Sequence, residues 1–322
     1  MPDMNIGGQA VIEGVMMRGK DRIATAVRVP DGRIVVKTEE YRSLTTRNRI
    51  LRLPILRGAI VFVEMLIIGI RTLNFSADVA MKEIEKQEAV KEGRDEKTSA
   101  TRSNTLWLAL TAVAAIGLGV FIFFFLPLAI SNLINVEKTA VGFNLLAGAI
   151  RLTMFVLYVY LISLFGEFRR IFEYHGAEHK SIYAYEMNDD LTPQAASNHT
   201  RFHPRCGTSF ILIVALFAIL TYAISDTIYA LKTGHPPTLL TRFGIHFSLL
   251  PLVAGGSYEL LKLSGRTRDS RITRFLIQPG LWLQRITTRE PSPQQLEVAI
   301  VALESALDLT ESKLTVERAA AS

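Results

Sequence analysis

The sequence predicts an α-helical integral membrane protein. It should have about four transmembrane helices plus one re-entrant or interfacial helix, with a small N-terminal β-hairpin and cytoplasmic loops. Three observations predict it. The 322 residues are 49% hydrophobic with a mean hydropathy of +0.26, and the apolar residues stand in blocks. Several blocks reach the roughly 20 residues that a helix needs to cross about 30 Å of hydrocarbon. Lysine and arginine are concentrated in alternate loops, as the positive-inside bias requires.

Residues 1–53 form the first unit. Within 5–19 (NIGGQAVIEGVMMRG) glycines alternate with small and apolar residues, which suits a close-packed strand. Residues 23–41 read as a hairpin, IATAVRV and RIVVKTEEY around a Pro30-Asp31-Gly32 turn. Residues 1–22 lack a continuous apolar core, so no signal peptide is expected. Residues 54–74 are apolar enough to enter a bilayer yet hold Arg57, Glu64 and Arg71, and crossing would strand the basic residues 18–52 outside. They read as a re-entrant or interfacial helix. Residues 75–105 are a charged linker.

A four-helix membrane domain occupies 106–265. Leu106–Ile134 carries no charge; Phe143–Phe165 holds only Arg151; Ser209–Leu231 holds Asp226; Phe243–Leu263 holds His246 and Glu259. Charges in spans are costly and should face the bundle or the interface. Residues 266–322 form a basic segment followed by a helix from Pro293, in which Leu296, Ala299, Ile300, Leu303, Ala306 and Leu307 recur at helical spacing. That helix reads as a cap packed on its own domain.

The 166–208 loop holds Arg169, Arg170, Lys180, Arg201 and Arg205, and the segment after the fourth span holds Arg266, Arg268, Arg271 and Arg274. The intervening loops hold Lys138, Lys232 and Arg242. The N-terminus, the 166–208 loop and the C-terminus should therefore be cytoplasmic. The net charge of +6 is explained by these loops; no aromatic-and-basic motif points to nucleic acid. One cysteine excludes an intramolecular disulfide. The expected contacts are membrane lipids and other membrane proteins.

Four of the six histidines and the only cysteine fall between 175 and 206. His175 and His179 are four apart, on one helical face, with Glu178 between them in the order H-x-x-E-H, the inverted zincin pattern. A catalytic zinc takes three protein ligands and leaves one position open. His203-Pro-Arg-Cys206 offers a third donor on a turn stiffened by Pro204, and Glu259 is another candidate. Glu178 would be the general base. The bland alternative is that the histidines anchor helix ends at an interface; H-x-x-E-H alone is weak and gains weight from H-P-x-C in the same loop. Glu13 is read equally as a salt-bridging residue or as a carboxylate delivered to the site by the glycine-rich strand. Arg18 would hold an anionic substrate group, although a solvated or lipid-phosphate role is the commoner one for such an arginine, and His199 is a further histidine of the loop.

GGQAVIEGVMMRG at 7–19, YHGAEHK at 174–180, HPRCGTSF at 203–210, SYELLKL at 257–263 and PGLWLQRITTREP at 279–291 together resemble the YqhQ-like family of bacterial membrane proteins. That family is a domain of unknown function described as predicted metal-dependent enzymes. The resemblance covers nearly the whole chain. It implies metal dependence at His175, Glu178, His179, His203 and Cys206, and no substrate.

The expected function is a metal-dependent hydrolase of the bacterial inner membrane, with zinc as the divalent metal and the site at the cytoplasmic face. Membrane-embedded or lipid-linked substrates fit that location. The rival is a non-catalytic membrane-protein assembly or regulatory factor with a structural metal clip. An ion transporter is disfavoured because few charges converge within the spans.

Overall fold

The structure, a computed structural model, describes residues 6–92, 105–134, 140–204, 206–266, 271–309 and 316–318. It begins with a β-meander. β1 (Gly7–Val11), β2 (Gly14–Arg18), β3 (Arg22–Arg28) and β4 (Ile34–Glu40) pair antiparallel in chain order, and β5 (Val316–Arg318) joins β4 in parallel. The hairpin expected at 23–41 is β3–β4. The glycine-rich stretch, expected as one strand, folds into a hairpin of its own, with Val11 opposite Gly14 and Glu13 at φ +53° in the turn. Gly14 is needed there because the Ala26 carbonyl occupies the space of a β-carbon.

After α1 (Leu44–Arg47) and a 3-10 turn comes α2 (Leu56–Glu92), one continuous helix of 37 residues. At about 1.5 Å per residue it is roughly 55 Å long. The expected boundary at 74 is therefore absent: Ala, Met, Glu and Lys are good helix formers, and no proline interrupts 55–92. The rest of the expected linker, 93–104, lies outside the described residues.

Among the described residues three helices are long and apolar enough to cross a membrane, over Val113–Leu133, Val141–Ile162 and Ile213–Thr233. The first is α3 (Thr105–Val120) continued through a π-helical turn (Phe121–Phe125) into α4 (Leu126–Leu133); the others are α5 (Ala140–Ile162) and α8 (Gly207–Thr233). A fourth would join α9 (Leu239–Ser248) to α10 (Leu250–Arg266), which meet at a 50° bend. The straight span expected at 243–263 is thus broken, because Pro251 has no N–H to donate and its ring crowds the Phe247 carbonyl.

The charges in these helices turn inward. Pro127 cannot donate to the Phe123 carbonyl, which instead accepts from Arg151 Nε at 2.9 Å. Fully buried Asp226 accepts from Asn144 Nδ2 at 2.8 Å and pairs with Arg242 Nε and His246 Nε2, each at 3.0 Å.

The principal core lies elsewhere, in a head assembled from three distant stretches. α12 (Pro293–Leu307) starts with a capping box between Ser292 and Gln295 and with Pro293 in its first turn. It buries Leu296, Val298, Ile300, Val301 and Leu303 between Val15, Met17, Ala24 and Val36 of the sheet and Tyr174, Ala177 and Ile182 of α6 (Gly166–Glu186). Each buried aliphatic side chain stabilises by roughly 1.5–3 kcal/mol. The stretch 166–208, in which the sequence placed the two histidines on one helical face, thus holds a core helix of 21 residues, α6, followed by a short α7 (Pro193–Ser197). α2 crosses α10 where both backbones carry glycine: Gly58 meets Tyr258 and Gly255, and Gly255 meets the Ile55 carbonyl.

Candidate metal centre

His175, Glu178 and His179 lie on α6, with the two imidazole centroids 4.4 Å apart. His175 Nδ1 is 2.8 Å from the Thr287 carbonyl, and His179 Nδ1 is 2.6 Å from the Arg201 carbonyl. A carbonyl can only accept, so each Nδ1 carries a proton, and in the neutral ring the lone pair falls to Nε2. Both Nε2 atoms gather with Cys206 Sγ. His175 Nε2 is 3.2 Å from the sulfur, and the three ligand atoms lie within 4.8 Å of one another. His179 Nε2 is buried beside the same thiol. Burial lowers the His179 pKa, which keeps the ring in its neutral, ligating form.

Backbone packing produces this arrangement. Gly176 has no side chain because the Arg289 carbonyl takes its place, and Arg289 N–H donates to the Phe172 carbonyl at 2.8 Å. The segment after α11 (Arg271–Thr287) is thereby pressed against α6, which brings the Thr287 carbonyl to His175. The second carbonyl comes from a loop gripped along α6: Lys180 Nζ donates to Ser197 O at 2.9 Å and Tyr183 OH to Phe202 O at 3.1 Å. Buried Gln284 clamps His203 from the other side, accepting from its N–H and donating to its carbonyl, both at 2.8 Å. Cys206 N–H then donates to the His203 carbonyl at 3.2 Å, closing the turn that presents the thiol.

Glu178 is buried beneath the glycine-rich strand. A β-carbon on Gly8 would stand 2.8 Å from Glu178 Cδ, and the Gly8 N–H donates to the carboxyl. Oε2 has no partner among the described residues. Burial pushes this carboxyl up to about 8; His175 opposes the shift and Cys206 reinforces it. Beside the cluster lies a cavity of about 430 Å³, bounded by β1, β2, α2, α6 and α10. Glu178, His179, His203 and Cys206 line it together with Arg18, Met16, Val61, Met65 and Tyr258.

The donor set fits a divalent ion. Two imidazoles, each with its Nδ1–H held by a carbonyl, and one thiol match zinc's preference for N and S, and three such donors would leave a coordination position open. Backbone carbonyls behind both rings are the usual support of metal-bound histidine.

Other residues expected at the site lie elsewhere. His203 is beside the cluster but outside the group of three; its Nε2 is 3.7 Å from Glu186 Oε2 and its ring packs on Tyr183. Glu259 is held by both nitrogens of the Arg57 fork, Nε at 2.6 Å, where α2 crosses α10. Glu13 sits in the left-handed turn of the first hairpin and pairs with Arg170 at 2.5 Å, with the Tyr174 hydroxyl at 3.4 Å. The glycine-rich strand does reach the site, through Gly8. His199 pairs with Asp189 at 2.8 Å. Gln284, Thr287 and Arg201 went unassigned in the sequence; two act through carbonyls, which no side-chain pattern signals.

The uncharacterized protein YqhQ of Bacillus subtilis (strain 168) is 33% identical over 309 residues, covering 94% of this chain and 92% of its own. No solved structure matches the chain. The model of a family described as "Protein of unknown function (DUF1385)" matches residues 53–309. The chain belongs to that family, the YqhQ-like proteins.

Proposed function

We propose that this protein is a metal-dependent hydrolase of the bacterial inner membrane, with its centre at the cytoplasmic face. One observation carries the reading: two histidines with proton-bearing Nδ1 atoms turn their Nε2 lone pairs toward one thiol, at the edge of a cavity that a buried carboxyl also lines. His175, His179 and Cys206 would hold the ion, which supplies Lewis acidity and eases deprotonation of water. Glu178 takes one proton from the attacking water and returns it to the leaving group. The water oxygen forms the new bond to the acyl or phosphoryl centre as the bond to the leaving group breaks, so one water is consumed per bond cleaved. A carboxyl whose proton affinity lies near neutrality suits that exchange. The basic loops support a cytoplasmic head, with four helices crossing if α9 and α10 count as one bent span.

Metal analysis of the purified protein, paired with Glu178→Gln, tests the reading. Near-stoichiometric zinc that survives Glu178→Gln, together with loss of hydrolysis across a panel of ester and phosphoester lipids, supports it. Metal that is required for folding, with a silent Glu178→Gln, makes the centre a structural clip and favours the assembly-factor reading.

A further inference from the structure

We propose that the cavity beside the centre binds an amphiphile with one apolar chain and an anionic head group. Arg18 would hold the anion, and α2 would line the chain. This deepens the hydrolase reading and rests on it only for which end of the ligand reacts; binding needs neither metal nor turnover.

The cation is partly buried and has donors to spare. Arg18 is partly buried on β2 and lines the cavity. Its Nη1 donates to Met65 Sδ at 3.1 Å, and its guanidinium lies 5.6 Å from the Tyr41 ring centroid. Among the described residues no carboxylate pairs with it. The nearby Glu64 carboxylate is engaged by the Tyr41 hydroxyl, the Ser43 hydroxyl and the Leu44 N–H. A thioether and an aromatic face are poor partners for a guanidinium, whose fork matches a carboxylate or a phosphate. The strand register sets the distance to the chemistry. Arg18 is opposite Gly7, and the next residue, Gly8, is the one pressed on Glu178.

The apolar wall supplies the second half. Val61 and Met65 face the cavity, while Val63, Leu66, Ile67 and Ile70 cover the outer side of the same helix and are exposed. Phe62 belongs to both, lining the cavity and standing 47% exposed. Phe62 thus joins the apolar outer side of α2 to the cavity wall. An apolar pocket with a few convergent polar groups is the usual form of a small-molecule site. Carboxylate and phosphate heads share the chemistry Arg18 reads, whether they come from a lipid or from a free anion; the chain distinguishes the two.

The test uses the full chain in phosphatidylcholine nanodiscs with dansylated undecanoic acid as probe. The expected result is a saturable fluorescence signal displaced by dodecyl phosphate, and not by dodecanol or inorganic phosphate. Arg18→Gln should weaken displacement about tenfold or more, the usual effect of losing a charge-assisted pair. Val61→Trp, which fills the cavity, should abolish the signal. Both variants should keep the wild-type metal content and unfolding temperature, since neither residue is a ligand. Equal displacement by inorganic phosphate would overturn the role of the chain, and equal displacement by dodecanol the role of Arg18. No displaceable signal, or unchanged binding in both variants, overturns the proposal. A protein that binds the probe yet carries no metal sinks the hydrolase reading alone; one that carries metal and ignores the probe sinks this inference alone.

Discussion

Replacing Glu178 by glutamine should stabilise the metal-free protein while removing its activity, and the stabilisation should depend on pH in a defined sense. The carboxyl titrates near 4.5 when unfolded and near 8 in the fold, where burial is the largest cause. A carboxyl with a raised folded pKa stabilises the fold only below its unfolded pKa, and that contribution is lost as pH rises toward the folded value. At about pH 7 the fold must hold a proton that the unfolded chain releases across some 2.5 pH units. At about 1.36 kcal/mol per unit this costs roughly 3 kcal/mol. Glutamine is neutral throughout and nearly isosteric, so the variant should exceed the wild type by about that amount at pH 7 and by little near pH 4.5. Urea unfolding in detergent, after chelation, measures the gap at both pH values. A divalent ion favours the ionised carboxyl and should narrow the gap when added back. A gap that stays constant between pH 4.5 and 8, or a glutamine variant less stable than wild type at pH 8, would refute the reasoning.

Three further outcomes follow from the geometry. His175→Ala, His179→Ala and Cys206→Ser should each strip the bound metal in elemental analysis, whereas Glu259→Gln should retain it; Gln284→Ala, acting through the His203 turn, should weaken affinity by about 10–100-fold. Gly8→Ala should destabilise the head by about 1–3 kcal/mol in thermal unfolding, because its β-carbon would press on Glu178 and on the Met16 carbonyl, each at 2.8 Å. Asp226→Asn should cost about 3–5 kcal/mol by leaving Arg242 buried without its counter-charge, and adding Arg242→Gln should recover part of that loss in the same unfolding assay.

The sequence made the apolar helices legible because an uncharged block of this length has few other uses, and it made the pairing of His175 with His179 on α6 legible because i, i+4 spacing is local. Cys206 was one candidate among three third donors, and spacing could not rank it against His203 and Glu259. The choice depends on how α2 crosses α10, since Arg57 takes Glu259, and on Gln284, which turns the His203 backbone so that the thiol points inward. For Glu13 the sequence left a salt bridge and a site carboxylate equally open, and the ion pair with Arg170 is the one formed. A carboxylate amid glycines suggests a site, but the left-handed φ places it in the hairpin turn, and the glycines themselves approach Glu178. The span at 243–263 was expected from the length of its apolar run alone, and Pro251 within that run is where the helix breaks.

The motifs at 279–291 acquire a role that their composition hides. His175 and His179 lie within one turn of a helix, so they would be neighbours in any fold that kept α6. Neighbouring imidazoles are not yet ligands, because each must release its Nε2 lone pair toward the same point. Thr287 does this for one ring and Arg201 for the other, and Arg201 is tied back to Thr288 through its guanidinium. Lys180 and Arg201 both reach Glu290, closing the same seam with charge. The seam therefore joins the 199–206 loop to the segment before α12, and α12 is the helix that buries the core of the head. The geometry of the candidate donors is thus coupled to the packing of the C-terminal helix: the donors come from 175–206, but their orientation is completed about 80 residues later.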